Sequence, residues 1–248
     1  MSQGEFRVDR SWSEQERSAR SRLVELFRAA PIPDDEILVN LGLFATRPAL
    51  TKLLFLHDVY RSILDVHGVV LDLGARWGQA LGLFESFRGM YEPYNYTRRL
   101  VGFDTFEGFA GVGEADVAAE GEYGVTPGYE DFLAEVLRAR EDESPLAHIP
   151  KFELVKGDAT ETVPRWLDEH PEAIVALACF DLDLYEPTRA CLEAIRPRLT
   201  KGSVLLFGVL NSPQFPGDTM ALRDVLGLDR YAIKRSPRGS YQTYIVVE

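Results

Sequence analysis

The residues with the clearest chemical potential are one carboxylate and two glycines that follow a short apolar segment. Asp72, Gly74 and Gly78 form the spacing Asp-x-Gly-x-x-x-Gly directly after the apolar residues 69–71. Gly74 lets the backbone turn where a side chain would block a ligand, and Gly78 lets the following helix begin close to that ligand. A carboxylate before the first glycine repels a diphosphate but attracts a cation or hydroxyl groups. The spacing, which is common in strand–turn–helix units, therefore favours a nucleotide-type ligand without a diphosphate.

Further aspartates follow three more of the predicted strands. Asp104 lies about thirty residues after Gly74, where an acidic residue binds ribose hydroxyls in nucleotide-binding folds. Asp158 can accept from an adenine amino group while Ala159 donates its main-chain N–H, and Asp181 ends the next strand. Each aspartate alone is also typical of a helix cap. Together they favour an adenosine ligand with a cationic group and no phosphate, and S-adenosylmethionine has this chemistry.

The elements that must position these residues alternate from residue 68 onward. Apolar runs predict strands over 68–73, 99–104, 152–156, 174–180 and 203–207, with helices between them, and then a strand pair over 230–235 and 241–247 around the turn 237–240. The pattern predicts an α/β fold: a doubly wound, Rossmann-like sheet of seven mostly parallel strands with an antiparallel C-terminal strand. Ligands bind such sheets outside the carboxyl ends of the strands.

The chain before the first strand is predicted to be helical. A capping box at Ser11–Glu14 opens a helix that ends near Ala30, and a longer helix begins at Pro48. We therefore divide the chain into an N-terminal helical extension over 1–67, acting as a lid or a dimer contact, and a cofactor-binding domain over 68–248.

Composition narrows the class of partner. The 248 residues carry a net charge of −12, from 39 acidic and 27 basic residues. This balance disfavours nucleic acid and anionic membranes and favours a neutral or cationic small molecule. Cys179 and Cys191 form neither a metal motif nor a disulfide framework. We expect a cytoplasmic protein without signal peptide or membrane span, acting as a homo-oligomer such as a homodimer.

Four segments resemble a known family. They are Asp-Leu-Gly-Ala-Arg-Trp-Gly at 72–78, Gly-Phe-Asp-Thr-Phe-Glu-Gly-Phe at 102–109, Gly-Asp-Ala at 157–159 and Asp-Leu-Asp-Leu-Tyr-Glu-Pro-Thr at 181–188. The chain resembles the class I S-adenosylmethionine-dependent methyltransferases, and within them the macrocin O-methyltransferase type that acts on deoxysugars of natural products. This resemblance implies O-methylation of a sugar-like acceptor.

The resemblance and the strand-end pattern together assign roles to residues. Asp181 and Asp183 are the expected catalytic residues, and Tyr185, Arg47 and Tyr91 are expected to contact the acceptor. The expected cofactor-binding residues are Asp72, Gly74, Arg76, Gly78, Asp104, Thr105, Phe106, Asp158, Ala159 and Asp181.

One segment departs from the family pattern. The family tends to place acidic residues after strand 5 to complete a magnesium site, but residues 206–211 read Leu-Phe-Gly-Val-Leu-Asn. Mg²⁺ prefers several hard oxygen ligands, so Asp181 with Asn211 would form only a weak site. Two alternatives to O-methylation stay open. One is N-methylation of an amine, which needs no metal, and the other is a non-methylating homologue that keeps the cofactor site as a scaffold.

Overall fold

The computed structural model describes residues 13–114, 116–238 and 241–248, and these fall into two compact units that divide between Leu50 and Thr51. The first unit contains α1 (Glu14–Arg28), α2 (Asp34–Ile37), a 3₁₀ turn (Leu41–Phe44) and the start of α3 (Arg47–Ser62). Ser13 and Glu16 form the capping box of α1. That is two residues beyond the predicted box, whose Ser11 lies outside the described residues.

The second unit is built on one sheet. Among the described residues, seven strands take the order β3-β2-β1-β4-β5-β7-β6. Strands β1 to β5 are parallel, and β7 is antiparallel to both β5 and β6. The strands are β1 (Val69–Leu73), β2 (Leu100–Asp104), β3 (Phe152–Lys156), β4 (Val175–Phe180), β5 (Leu199–Phe207), β6 (Lys234–Arg235) and β7 (Thr243–Val246).

Helices cover both faces of this sheet. They are α4 (Gln79–Tyr91), α5 (Tyr129–Asp142), α6 (Ala159–Glu169), α7 (Tyr185–Ile195), a 3₁₀ turn (Arg196–Arg198) and α8 (Gly217–Val225). Alternate side chains of each strand pack into two cores. Leu71 and Phe180 pack with α6, α7 and α8, whereas Val70 and Leu206 pack with α3, α4 and α5. The predicted doubly wound α/β fold is therefore confirmed.

The sheet sets the position of the functional edge. The chain runs from β1 to β2 on one side and returns to β4 on the other side of β1, so a crevice opens at the carboxyl ends of β1 and β4. The buried stripe of α3, which includes Phe55, Leu56 and Val59, places this helix against the sheet within the second unit. The predicted boundary at residue 67 and the role of residues 1–67 stay predictions. None of the described helices is long and apolar enough to cross a membrane.

Candidate functional site

An open cavity lies at the carboxyl edge of the sheet. Its walls bring together residues from four strand ends, as the sequence predicted. They include Gly74, Arg76, Asp104, Asp158, Asp181 and Asp183.

Asp72 lies in the sheet immediately before the glycine turn. Its side chain is only 3% exposed, and Oδ2 has no hydrogen-bond partner among the described residues. Burial raises the pKa of this carboxyl to about 7; Asp181 adds to the rise and Lys52 opposes it. A buried carboxylate oxygen without a partner is costly unless a cationic or donor group reaches it. Asp72 is not among the residues that line the cavity, and its contact with the amino group of a ligand stays a prediction.

The glycine turn brings β1 and β4 into close approach. Gly74 has a φ of +89°, and a Cβ there would overlap the main-chain oxygen of Asp181. Gly78, with a φ of +72°, precedes α4 and contacts Leu133. Only glycine fits both the conformation and the space at these two positions. Gly78 shapes the start of the helix and is not part of the cavity wall.

Asp104 joins β2 to the glycine turn. Its Oδ2 accepts from the main-chain N–H of Arg76 at 2.8 Å, and its Oδ1 accepts from that of Phe106 at 2.6 Å. Burial raises the pKa of Asp104, although these two N–H groups oppose the rise. Each carboxylate oxygen keeps a second lone pair, so ribose hydroxyls can still donate to it. Phe106 is itself buried and supplies only its main chain, whereas Thr105 lies in the cavity wall.

Asp158 is the N-cap of α6. Its Oδ1 accepts from both the main-chain N–H and the hydroxyl of Thr160 at 2.8 Å. Asp158 and the buried Ala159 also line the cavity. The helix-cap interpretation is therefore correct for Oδ1, and Oδ2 is left for a ligand.

A carboxylate cluster follows β4. Asp181 is half exposed, and Lys52 Nζ lies 4.0 Å from its Oδ2. Asp183 adopts a φ of +61°, and burial together with Asp181 raises its pKa to about 7. Behind them Asp218 is fully buried, accepts a 2.6 Å hydrogen bond from Thr188 Oγ1, and its pKa is raised well above the usual value by burial. The cluster can accept protons at the cavity mouth.

Comparison with solved structures identifies the family. The crystal structure of CalS11, a calicheamicin methyltransferase, matches with a TM-score of 0.93 and 44% identity over 99% of each chain. The apo structure of CalS11, described as a TDP-rhamnose 3'-O-methyltransferase of calicheamicin biosynthesis, gives a TM-score of 0.86 and 44% identity over 95% of each chain. The chain belongs to the macrocin O-methyltransferase-like family of class I S-adenosylmethionine-dependent methyltransferases.

Other comparisons are consistent with this assignment. The O-methyltransferase NovP shares the fold, with a TM-score of 0.59 and 17% identity over 82% of each chain. Comparisons with protein-family models and with curated proteins give no match. S-adenosylmethionine is the methyl donor of this family, and natural-product biosynthesis is its setting.

Two of the three expected acceptor contacts of this methyltransferase, Tyr185 and Tyr91, are not among the residues that line the cavity. The hydroxyl of Tyr185 donates to Asp224 at 3.1 Å. Tyr91 ends α4, far from the carboxyl edge where this helix starts, and its hydroxyl is 2.6 Å from His57 Nε2. Arg47 is an exposed residue of the first unit, at the start of α3. Contact of the three residues with the acceptor stays a prediction.

Sequence reasoning missed several groups of the methyltransferase site. Lys52 precedes the buried Phe55 and Leu56 by three and four residues, so it lies on the buried face of α3. A charged residue on an apolar stripe was the available signal. Tyr123 comes from the glycine-rich segment 107–126, and Arg76 stacks on its ring with a centroid distance of 4.7 Å. This contact depends on tertiary structure and has no sequence signal.

Proposed function

We propose that this methyltransferase O-methylates a hydroxyl of a deoxysugar that is linked to a nucleoside diphosphate. The observation that carries the proposal is Asp181, a half-exposed carboxylate at the mouth of the cavity formed by the other strand-end aspartates. S-adenosylmethionine supplies an electrophilic methyl group on its sulfonium. The 44% identity with CalS11, a TDP-rhamnose 3'-O-methyltransferase, supports a sugar hydroxyl over an amine or a scaffold without activity.

Four strand-end carboxylates have distinct tasks in this proposal. Asp72 accepts from the amino group of the cofactor, Asp104 from its ribose hydroxyls and Asp158 from its adenine. Asp181 accepts the proton of the acceptor hydroxyl. Holding both reactants in a near-attack geometry contributes roughly 7–11 kcal/mol to such a displacement, so most of the catalysis is positioning.

A basic segment supports the proposal that the sugar acceptor carries a diphosphate. The net charge of −12 favours a neutral or cationic substrate, but local charge decides binding at a site. Lys234 and Arg235 are exposed on β6, whereas Arg238 in the turn after it is paired with Asp58 at 2.8 Å. Arg235 pairs with Thr243, which pairs with Phe207 at the carboxyl end of β5. The segment therefore follows the same sheet edge as the cavity and suits a diphosphate.

The proposal is tested by offering the purified enzyme methyl-¹³C S-adenosylmethionine with TDP-rhamnose, with other TDP-deoxysugars and with a free glycoside. We expect a ¹³C methyl ether on a sugar ring carbon of a nucleotide-linked acceptor. Binding of S-adenosylmethionine without transfer to any of these sugars, or transfer to an amine only, contradicts the proposal.

We also propose that the protein is a homo-oligomer that uses its first unit as a contact. Eight large apolar side chains of this unit are exposed, and exposed apolar patches mark interaction surfaces. They are Val24, Leu26, Phe27, Leu38, Val39, Leu41, Leu43 and Leu50. Light scattering should give a multiple of the 27.9 kDa chain mass. Leu38→Asp should lower this mass and Val117→Asp should not; a monomeric wild type contradicts the proposal.

A further inference from the structure

The end of β5 supplies no metal-binding side chain beside Asp181, because Gly208, Val209 and Leu210 follow Phe207 there. Gly208 is buried, its main-chain N–H donates to the Phe180 oxygen at 2.8 Å, and a Cβ at this position would overlap Asp181 Oδ1. A side chain at position 208 would therefore require the Asp181 carboxylate to rotate, and Gly208 itself offers no metal ligand.

The remaining groups do not fit Mg²⁺. Within the described residues, no group of three or more His, Cys, Asp and Glu side chains could hold a metal ion. Asn211 is exposed at a φ of +59°, and its main-chain N–H is bonded to Thr219 Oγ1. Mg²⁺ is usually held by one or two carboxylates together with water or phosphate oxygens in octahedral geometry, and the residues after β5 add no second carboxylate to Asp181.

A lysine stands beside the carboxylate instead. Lys52 Nζ is 4.0 Å from Asp181 Oδ2, with side chains 35% and 50% exposed. A pair this long and this exposed adds little to folding stability. Burial raises the pKa of Asp72 and of Cys179, and the positive charge of Lys52 partly opposes both rises. The Lys52 ammonium therefore lies near the ends of β1 and β4, which carry these two residues.

The gap between Lys52 Nζ and Asp181 Oδ2 is wide enough for an oxygen atom that contacts both. An oxygen about 2.8 Å from both Lys52 Nζ and Asp181 Oδ2 fits this gap, with an angle at the oxygen of about 90°. Such an oxygen can donate its proton to the carboxylate and accept a hydrogen bond from the ammonium. Lysine has three donors and a compact charge on a flexible stem.

We propose that the Lys52 ammonium contacts the acceptor oxygen and takes the place that a divalent cation has in the family, so that methyl transfer in this enzyme is independent of metal. The acceptor hydroxyl proton passes to Asp181 while the oxygen forms its bond to the methyl carbon. The methyl–sulfur bond breaks and leaves its electron pair on sulfur, and Asp181 then releases the proton to water. Lys52 stabilises the negative charge that develops on the oxygen. This inference rests on the proposed function.

The first test measures methyl transfer in the full-length enzyme. Wild-type kcat should be the same with EDTA and with added Mg²⁺. Lys52→Ala should lower kcat about 10²–10³-fold, as for loss of a group that stabilises a developing oxyanion, without changing the affinity for S-adenosylmethionine. Methylammonium added to Lys52→Ala should restore part of the rate, which a structural role would not allow. Arg61→Gln, an exposed change on the same helix, is the matched control.

The second test does not depend on activity. Titration with Mn²⁺, followed by its electron paramagnetic resonance signal, should show no stoichiometric ion bound to the wild type. A stoichiometric Mn²⁺ site that Asp181→Asn removes overturns the inference. So does an activity that EDTA abolishes and Mg²⁺ restores, or an unchanged kcat in Lys52→Ala. If no sugar is methylated at all, the proposed function fails, and the Mn²⁺ titration still decides whether this edge binds a metal.

Discussion

The main-chain N–H of Arg76 donates a 2.8 Å hydrogen bond to Asp104 Oδ2, and this bond ties the glycine turn after β1 to the end of β2. One carboxylate orders the turn and also lines the cavity, so in the proposed function cofactor binding and local backbone geometry depend on the same side chain.

Asp104→Ala should weaken binding of S-adenosylmethionine by about 1–3 kcal/mol, since the variant loses a ribose acceptor and leaves two N–H groups unpaired. Isothermal titration calorimetry measures this loss. Asp131→Ala, an exposed change on α5, is the control. An unchanged affinity in Asp104→Ala would show that ribose lies elsewhere.

Stability should fall as pH rises through the interval between the ordinary aspartate pKa and about 7. The pKa of Asp72 is raised to about 7 in the folded protein, so between about pH 4 and 7 the folded state binds more protons than the unfolded chain. As pH rises through this window, Asp72 lowers the free energy of unfolding. The total loss from this residue is at most about 4 kcal/mol. Glu85 and Asp183, whose pKa values are also about 7, add to the same trend.

Thermal unfolding of wild type and Asp72→Asn from pH 5 to 8 isolates the share of Asp72. The asparagine variant should lose less stability over this range and should bind S-adenosylmethionine more weakly at pH 8. Identical pH dependence in both proteins would show that Asp72 titrates normally in the folded state.

Gly208→Ala should lower kcat by up to about 100-fold with little loss of stability. Its methyl group overlaps Asp181 Oδ1, so the carboxylate must rotate away from the acceptor, and small displacements of a reacting group are costly. Steady-state kinetics and thermal unfolding together measure the two effects. Gly42→Ala, at a position with no neighbouring atom within 4 Å, should change neither kcat nor the unfolding temperature. Full activity in Gly208→Ala would contradict the placement of Asp181.

Arg235→Gln should raise KM for a nucleotide-linked sugar by roughly two- to fivefold, the effect of losing one exposed ionic contact. KM for a free glycoside should not change, because that acceptor has no diphosphate. Arg196→Gln, an exposed change before β5, provides the comparison. Equal effects on both acceptors would place the diphosphate away from β6.

The sequence predicted the buried strands well because their apolar runs are bounded by glycine and aspartate. β3 has the predicted bounds, and β1, β2 and β4 differ by one residue at the start. β5 begins at Leu199, four residues earlier than predicted, because Thr200, Lys201 and Gly202 at its start are polar or small and give no apolar signal. The turn predicted over 237–240 includes residues 239 and 240, which lie outside the described residues.

The site was predictable where its residues follow strands and unpredictable where it depends on packing between helices and strands. Asp104, Asp158 and Asp181 reach one edge because parallel strands end there. Lys52 and Asp218 come from α3 and α8, and no spacing in the sequence relates them to Asp181. Tyr91 was expected at a pocket wall because it follows the first helix of the sheet, but a helix of 13 residues spans about 20 Å and carries Tyr91 towards the opposite edge.

The central claim is that Asp72, Asp104, Asp158 and Asp181 surround an adenosyl sulfonium at the carboxyl edge of the sheet. A crystal structure of the enzyme with S-adenosylhomocysteine tests it most directly. The account predicts the ligand amino group against Asp72, ribose on Asp104, adenine beside Asp158 and sulfur facing Asp181. A ligand bound away from these carboxylates would contradict it.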